Sequence, residues 1–224
     1  MADPVRITFL GGLGEIGRNC FCIEVDGRIL VVDCGIMFPE PDMPGVDLVL
    51  PDFTYLRERA DAVEGVVLTH AHEDHAGGLA FLLRDIEFPI FGSPLSLGLA
   101  RSRIEEAGLL DRTELIPLMD GERRRVGPFD FEVIPVTHSV PHGFATAFYT
   151  AQGVVLHSGD FKLDLTPVDG RLTDLARIGA IADSTSGTTK ATWYSSPWIV
   201  MPGADAGLHR GRCRGFAILL MVAL

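Results

Sequence analysis

Three imidazoles and an aspartate stand within six positions, His70, His72, Asp74 and His75, in the stretch Thr69-His70-Ala71-His72-Glu73-Asp74-His75-Ala76-Gly77-Gly78. Imidazole nitrogen and carboxylate oxygen are the donors that Zn²⁺ takes outside thiolate sites. The chain has seven histidines, so three in one short stretch is a concentration that a merely polar turn does not account for. The apolar run Val66-Val67-Leu68 before it reads as a buried strand, and Leu79-Ala80-Phe81-Leu82-Leu83 after it reads as the opening of a helix. On an extended segment His70 and His72 point the same way. Asp74 and His75 fall where the chain bends into the helix, so they face a second point. The chemistry expected is that of two adjacent metals sharing one loop.

Other polar residues are expected at the ends of strands: Asp33, His138, Asp160 and Asp183. Val5 to Leu10 reads as a first strand. Gly12, Gly14 and Gly17 then spell G-x-G-x-x-G, a dinucleotide fingerprint only if a helix comes next. The next residues are instead Cys20 to Val25, Asp26-Gly27, and Arg28 to Asp33, a β-hairpin with an Asp-Gly turn, which speaks against a nucleotide site. The proline-bearing loop from Phe38 to Pro51 is expected on the surface beside a site. A short helix is expected around Tyr55 to Arg59, and a longer one from Pro94 to about Ala107, stopped by Gly108. Strands are expected at Phe88 to Phe91, Glu114 to Leu118, Arg123 to Val126, Phe129 to Val136, Thr146 to Thr150, Gly153 to Leu156 and Ile178 to Ala182. Many strands with few helices, in no regular alternation, point to mixed sheets with helices outside.

With 224 residues and 47% hydrophobic content, the chain is long enough for one domain with a substantial core. A net charge of −11 argues against non-specific electrostatic binding of nucleic acid. It does not exclude a nucleic-acid enzyme, because metals supply local positive charge. The four cysteines form no C-x-x-C pair, so a thiolate zinc ribbon is unsupported and reduced, buried thiols are expected. Cys20 and Cys22 alternate along a strand and are expected on opposite faces or one pleat apart. The N-terminus has no basic region and no apolar signal segment, and the longest apolar run, Phe216 to Leu224, is too short to span a bilayer. A cytoplasmic protein is expected.

Taken together, these residues resemble the metallo-β-lactamase fold superfamily, and His70-x-His72-x-Asp74-His75 looks like its central metal motif. Further stretches resemble the ribonuclease J family of β-CASP ribonucleases: Leu10 to Gly17, Gly45 to Asp52, His157 to Lys162 and Thr166 to Gly170. The fold implied is α+β, an αββα sandwich of mixed sheets with outer helices, incomplete at the C-terminus. The resemblance implies that His70, His72 and His138 hold one zinc, that Asp74 and His75 hold a second, and that Asp160 bridges both. Asp74 and His75 would also be the catalytic pair, and Asp33 an acid behind the ligands that orients their loop. His142 is expected near the site without a defined role, and His157 as a strand residue. The activity implied is zinc-dependent hydrolysis of RNA, endonucleolytic and 5′-to-3′ exonucleolytic. The partner implied is RNA; the resemblance leaves room for a homo-oligomer and gives no reason for a membrane. Thioesterases and lactonases of the same superfamily are less favoured, because the matching stretches extend well outside the metal motif.

The resemblance fades after Thr185. Residues 1–185 are therefore expected to form the metallo-β-lactamase-like domain and residues 186–224 an atypical tail, frame-shifted or disordered. That tail holds one acidic residue, Asp205, of the chain's 30, and both tryptophans. Family members continue into an inserted β-CASP domain and return with one more histidine ligand. A form without them is expected to bind zinc but to have little ribonuclease activity, and a non-catalytic zinc-binding fragment is the rival expectation.

Overall fold

Six short strands make the first sheet, and their order keeps to the chain, β1-β2-β3-β4-β5-β6. The computed structural model describes residues 4–184, with the backbone of 192–195 and 215–220. β1 (Arg6–Gly11), β2 (Cys20–Val25) and β3 (Arg28–Val32) run antiparallel. Asp26 and Gly27 both have positive φ, 49° and 74°, which is why an Asp-Gly pair closes this hairpin. β4 (Val63–Val67), β5 (Ile90–Gly92) and β6 (Leu115–Pro117) continue the sheet in parallel. In β3 the consecutive residues Ile29 to Val32 are all fully buried, as expected of a strand inside a parallel sheet rather than one with a wet face.

Helices connect these strands. They are α1 (Thr54–Arg57), α2 (Glu73–Ala76), α3 (Leu79–Leu83) and α4 (Pro94–Glu106). α4 starts where the Ser93 hydroxyl accepts from the Ser96 N–H, with Pro94 at the first helical position, and Gly108 at φ 71° lies just past its end. Leu79, Leu82 and Leu83 of α3 and Leu97 and Ile104 of α4 pack with Val31, Val66 and Leu68. Cys20 and Cys22 are both in this cluster, so they share one face: residues two apart on a strand point the same way. The expectation of opposite faces is corrected. With Cys34 they are free, buried thiols, while Cys213 lies outside the described residues.

The structure divides after residue 118 into a second compact unit with its own sheet. β7 (Arg123–Val126), β8 (Phe129–Val136), β9 (Gly143–Thr150) and β10 (Gly153–His157) form an antiparallel meander. The sheet continues through β12 (Gly215–Leu220), parallel to β10, to β11 (Thr192–Ser195) at the edge. The expectation of a tail from residue 186 otherwise falls outside the described residues.

Residues 178–182 are not a strand. They lie in α5 (Leu175–Ser184), and Asp183 is an exposed helical residue rather than the end of a strand. A five-residue apolar run fits a strand or a buried helix equally by pattern. Here the helix spacing decides, because Ile178, Ile181 and Ala182 all meet Ile134, Val136 and Leu156. Asp174 caps the helix by accepting from the Arg177 N–H at 2.8 Å. Both sheets are mixed, with few helices, in an α+β protein. Among the described residues no helix is long and apolar enough to cross a membrane.

Candidate metal centre

β3 and β4 end side by side, and the residues just beyond them make the first group of donors. Asp33, at φ 58°, donates its N–H to the Val67 carbonyl, which turns its carboxylate toward the neighbouring strand end. That carboxylate is buried and accepts three bonds: from Thr69 N at 2.8 Å, from Thr69 Oγ1 at 2.8 Å and from His75 Nδ1 at 2.7 Å. These bonds set the tautomers. A carboxylate can only accept, so His75 carries its proton on Nδ1 and its Nε2 keeps a lone pair. Thr69 gives its hydroxyl proton to Asp33 and can only accept from His70 Nδ1, 3.0 Å away, so His70 Nε2 also keeps a lone pair. That Nε2 faces His72 Nδ1 at 2.9 Å, and His75 Nε2 lies 3.5 Å from Asp74 Oδ2.

The loop bearing these donors is too short to hold itself. α2 has four residues, and its first turn hangs on the His72 carbonyl, which accepts from His75 N and Ala76 N. Outside support comes from the segment after β3: Cys34 N donates to His75 O at 2.7 Å and Ile36 N to Glu73 O at 3.0 Å. This approach requires Gly35, because a Cβ there would lie 1.6 Å from the Asp74 carbonyl oxygen. Arg103 of α4 pairs with the Glu73 carboxylate.

The second group lies in the other unit. His138 comes after β8 and Asp160 after β10, and His138 Nε2 is 3.7 Å from Asp160 Oδ2. Both are largely buried, with side-chain exposures of 10% and 5%. His157 is buried at the end of β10, and His142 is exposed at φ 61° in the loop after His138. Thus His70, His72, Asp74, His75 and Asp33 come together in one unit, and His138 and Asp160 in the other.

Do these donors suit a metal? Ligands about 2.0–2.1 Å from a tetrahedral zinc stand about 3.3 Å from one another. The donor pairs at 2.9, 3.5 and 3.7 Å bracket that spacing. The tautomers leave lone pairs where a metal would need them, and a carboxylate sits behind His75 as it does behind many metal-bound imidazoles. The donor set fits a metal ion.

The family model of the metallo-beta-lactamase superfamily matches residues 13–203, a span that takes in every one of these donors. The chain belongs to the metallo-β-lactamase superfamily. Among curated members it is similar to the ribonuclease J of Synechocystis, 47% identical over 178 residues, covering 79% of this chain and 28% of that protein. It is also similar to the ribonuclease J of Mycolicibacterium smegmatis, 43% identical over 181 residues, covering 80% and 32%. The ribonuclease J of Helicobacter pylori is 43% identical over 209 residues, covering 86% and 30%. The chain therefore spans under a third of the length of these relatives. Of solved structures, zinc-bound PqqB from Methylobacterium extorquens shares the fold at a TM-score of 0.57 and 13% identity, over 84% of this chain and 71% of that one. A diphosphatase of the PhnP family does so at 0.54 and 15%, over 86% and 74%.

The sequence alone does not single out Asn19. Its Nδ2 donates to the Asp74 carbonyl at 3.0 Å, to Asp74 Oδ2 at 3.2 Å and to His75 Nε2 at 3.1 Å. Its backbone joins the same support, with Asn19 N donating to Asp74 O and Gly35 N to Asn19 O. A signal was available: a lone amide between a glycine-rich turn and an apolar strand is a polar group that must find partners when buried.

Proposed function

We propose that this chain is the metal-binding part of a zinc-dependent RNA phosphodiester hydrolase of the ribonuclease J type. The observation that carries this is the identity of 43–47% to ribonuclease J over four-fifths of the chain. On this reading His70, His72, His138 and Asp160 hold one zinc, and Asp74, His75 and Asp160 hold the second. When bound, such a pair supplies a hydroxide at neutral pH and charge to neutralise the scissile phosphate.

The protein's own residues do the rest. Asp33 keeps the His75 proton on Nδ1, so Nε2 stays a donor. Thr69 does the same for His70. Asp74 and His75, with fewer partners in their set than the first zinc has, leave positions for water and substrate. That difference supports a tight first equivalent of zinc and a weaker second, and slow turnover by this chain. The net charge of −11 works in the same direction, since it repels a polyanion.

Zinc titration by calorimetry, paired with digestion of a 5′-monophosphorylated RNA in Zn²⁺ or Mn²⁺, tests the reading. Two unequal equivalents are expected, with slow, chelator-sensitive cleavage that His72→Ala abolishes. Asp160→Ala should weaken both equivalents. A chain that takes up no zinc, or that hydrolyses a thioester or lactone and leaves RNA intact, would sink it.

A further inference from the structure

The second unit holds its donors on two separate segments, 137–142 after β8 and 158–162 after β10, and a third segment ties them together. All three polar backbone and side-chain groups of Thr137, the residue before His138, are bonded outside their own loop. Thr137 N donates to Thr173 Oγ1 at 2.9 Å, Thr137 Oγ1 donates to Arg171 O at 2.9 Å, and Thr137 O accepts from Lys162 N at 2.8 Å. The Thr173 hydroxyl passes its own proton to Lys162 O at 3.0 Å. One hydroxyl thus links the segment of His138 to that of Asp160.

Arg171 closes the same loop at its base. Val136 and Gly143 are the last paired residues of the β8–β9 hairpin, and His138 lies in the loop they bracket. Arg171 Nη1 donates to both their carbonyls, at 3.4 Å and 3.1 Å. The guanidinium is aimed by a bidentate pair with Asp120, at 2.7 Å and 2.6 Å, and its carbon lies 5.3 Å from the centre of the Phe144 ring. The Arg171 side chain is 11% exposed, so little water competes for these bonds.

We propose that Arg171 and Thr173 are positioning residues that fix the separation of His138 and Asp160, so that metal affinity depends on two side chains bonded to Thr137, Lys162, Val136 and Gly143. This rests on the reading of His138 and Asp160 as metal donors. A planar fork reaching a carboxylate and two carbonyls at once is a task lysine cannot do. A hydroxyl that accepts from one segment and donates to another has no substitute in the isosteric Thr173→Val.

The test uses the full chain in four forms: parent, Thr173→Val, Arg171→Lys and Asp120→Asn. Each is measured for zinc dissociation constant by competition with a chromogenic chelator, for the visible spectrum of bound Co²⁺, and for metal-free thermal midpoint. Thr173→Val and Arg171→Lys should weaken zinc about tenfold, at the low end of what losing the partners of a metal ligand costs. Both should shift the Co²⁺ bands. Asp120→Asn, at a half-exposed position, should show a smaller change in the same direction. If the parent takes up no metal, the metal reading fails and this inference with it. If the parent binds zinc and the three variants match its affinity and Co²⁺ spectrum within twofold, the inference alone is overturned. An Arg171 variant that fails to fold leaves Thr173→Val and Asp120→Asn to decide between the same two outcomes.

Discussion

Replacing Gly35 with alanine adds one carbon at the point where two backbones meet. That carbon would lie 1.6 Å from Asp74 O and 2.1 Å from its carbonyl carbon. To reach even 3.0 Å, the Asp74 oxygen must retreat by 3.0 − 1.6, or about 1.4 Å. Nothing flexible is available to yield, since the obstacle is main chain. The same retreat would stretch the 2.7 Å bond from Cys34 N to His75 O to about 4 Å and disturb those from Ile36 N to Glu73 O and from Asn19 N to Asp74 O. Two or three bonds at about 1 kcal/mol each, with the cost of leaving buried partners unpaired, give about 3–5 kcal/mol. That is a large share of the 5–15 kcal/mol typical of a domain. Urea denaturation of the metal-free chain reads the stability, and zinc stoichiometry reads the displaced His75 and Asp74. Gly98→Ala, in α4 with nothing within 4 Å of the new carbon, is the control and should be neutral or stabilising by up to about 1 kcal/mol. If Gly35→Ala unfolds within about 1 kcal/mol of the parent and takes up zinc normally, the close approach is not what holds this loop.

Asp33→Asn removes the charge behind His75 Nδ1 and should weaken zinc about 10–100-fold, checked by chelator competition. The bond from Arg177, ahead of the opposing effect of burial, holds the Glu132 carboxyl below its ordinary value. A depressed acid contributes stability that is full above its unfolded value and is lost as pH falls through the folded one; Glu132→Gln should therefore flatten the acid limb of a urea-midpoint profile taken from about pH 6 to 3. The hydrogen bond to Cys34, then burial, pushes the Cys20 thiol up, and burial pushes Cys22 up. In a Cys213→Ser background a maleimide at neutral pH should label the chain only after unfolding. RNA retention on a filter at low salt should fall together with turnover when the metal is chelated.

What could be read from the sequence is what lies close together in it. The first donors stand within six residues, between a strand and a helix. The Asp26-Gly27 hairpin and the Ser93-Pro94 start of α4 are local chemistry, and both are where that chemistry puts them. α5 reads as a strand because a short apolar run has no period of its own, although Asp174 three residues before Arg177 is a capping signal that favours a helix. The supports of the site are non-local. Asn19 meets Asp74 across 55 residues and Arg171 meets Asp120 across 51, and no spacing in a single sequence announces either contact.

The arginines bear on how such a chain could meet RNA at all. Arg18 is paired with Glu15, Arg28 with Glu64, Arg57 with Asp85, Arg103 with Glu73, Arg112 with Glu87, Arg171 with Asp120 and Arg177 with Glu132. Even the run Arg123-Arg124-Arg125 on β7 answers to Asp130 and Glu122. Each of these cations has a carboxylate partner with which an incoming phosphate would have to compete. With a net charge of −11 over the whole chain, the described residues offer a polyanion little long-range attraction. On the RNA reading, positive charge is then concentrated at the metal positions. The ions that would activate the water are also the ones that would draw in the phosphate, so binding and chemistry stand or fall on the same donors.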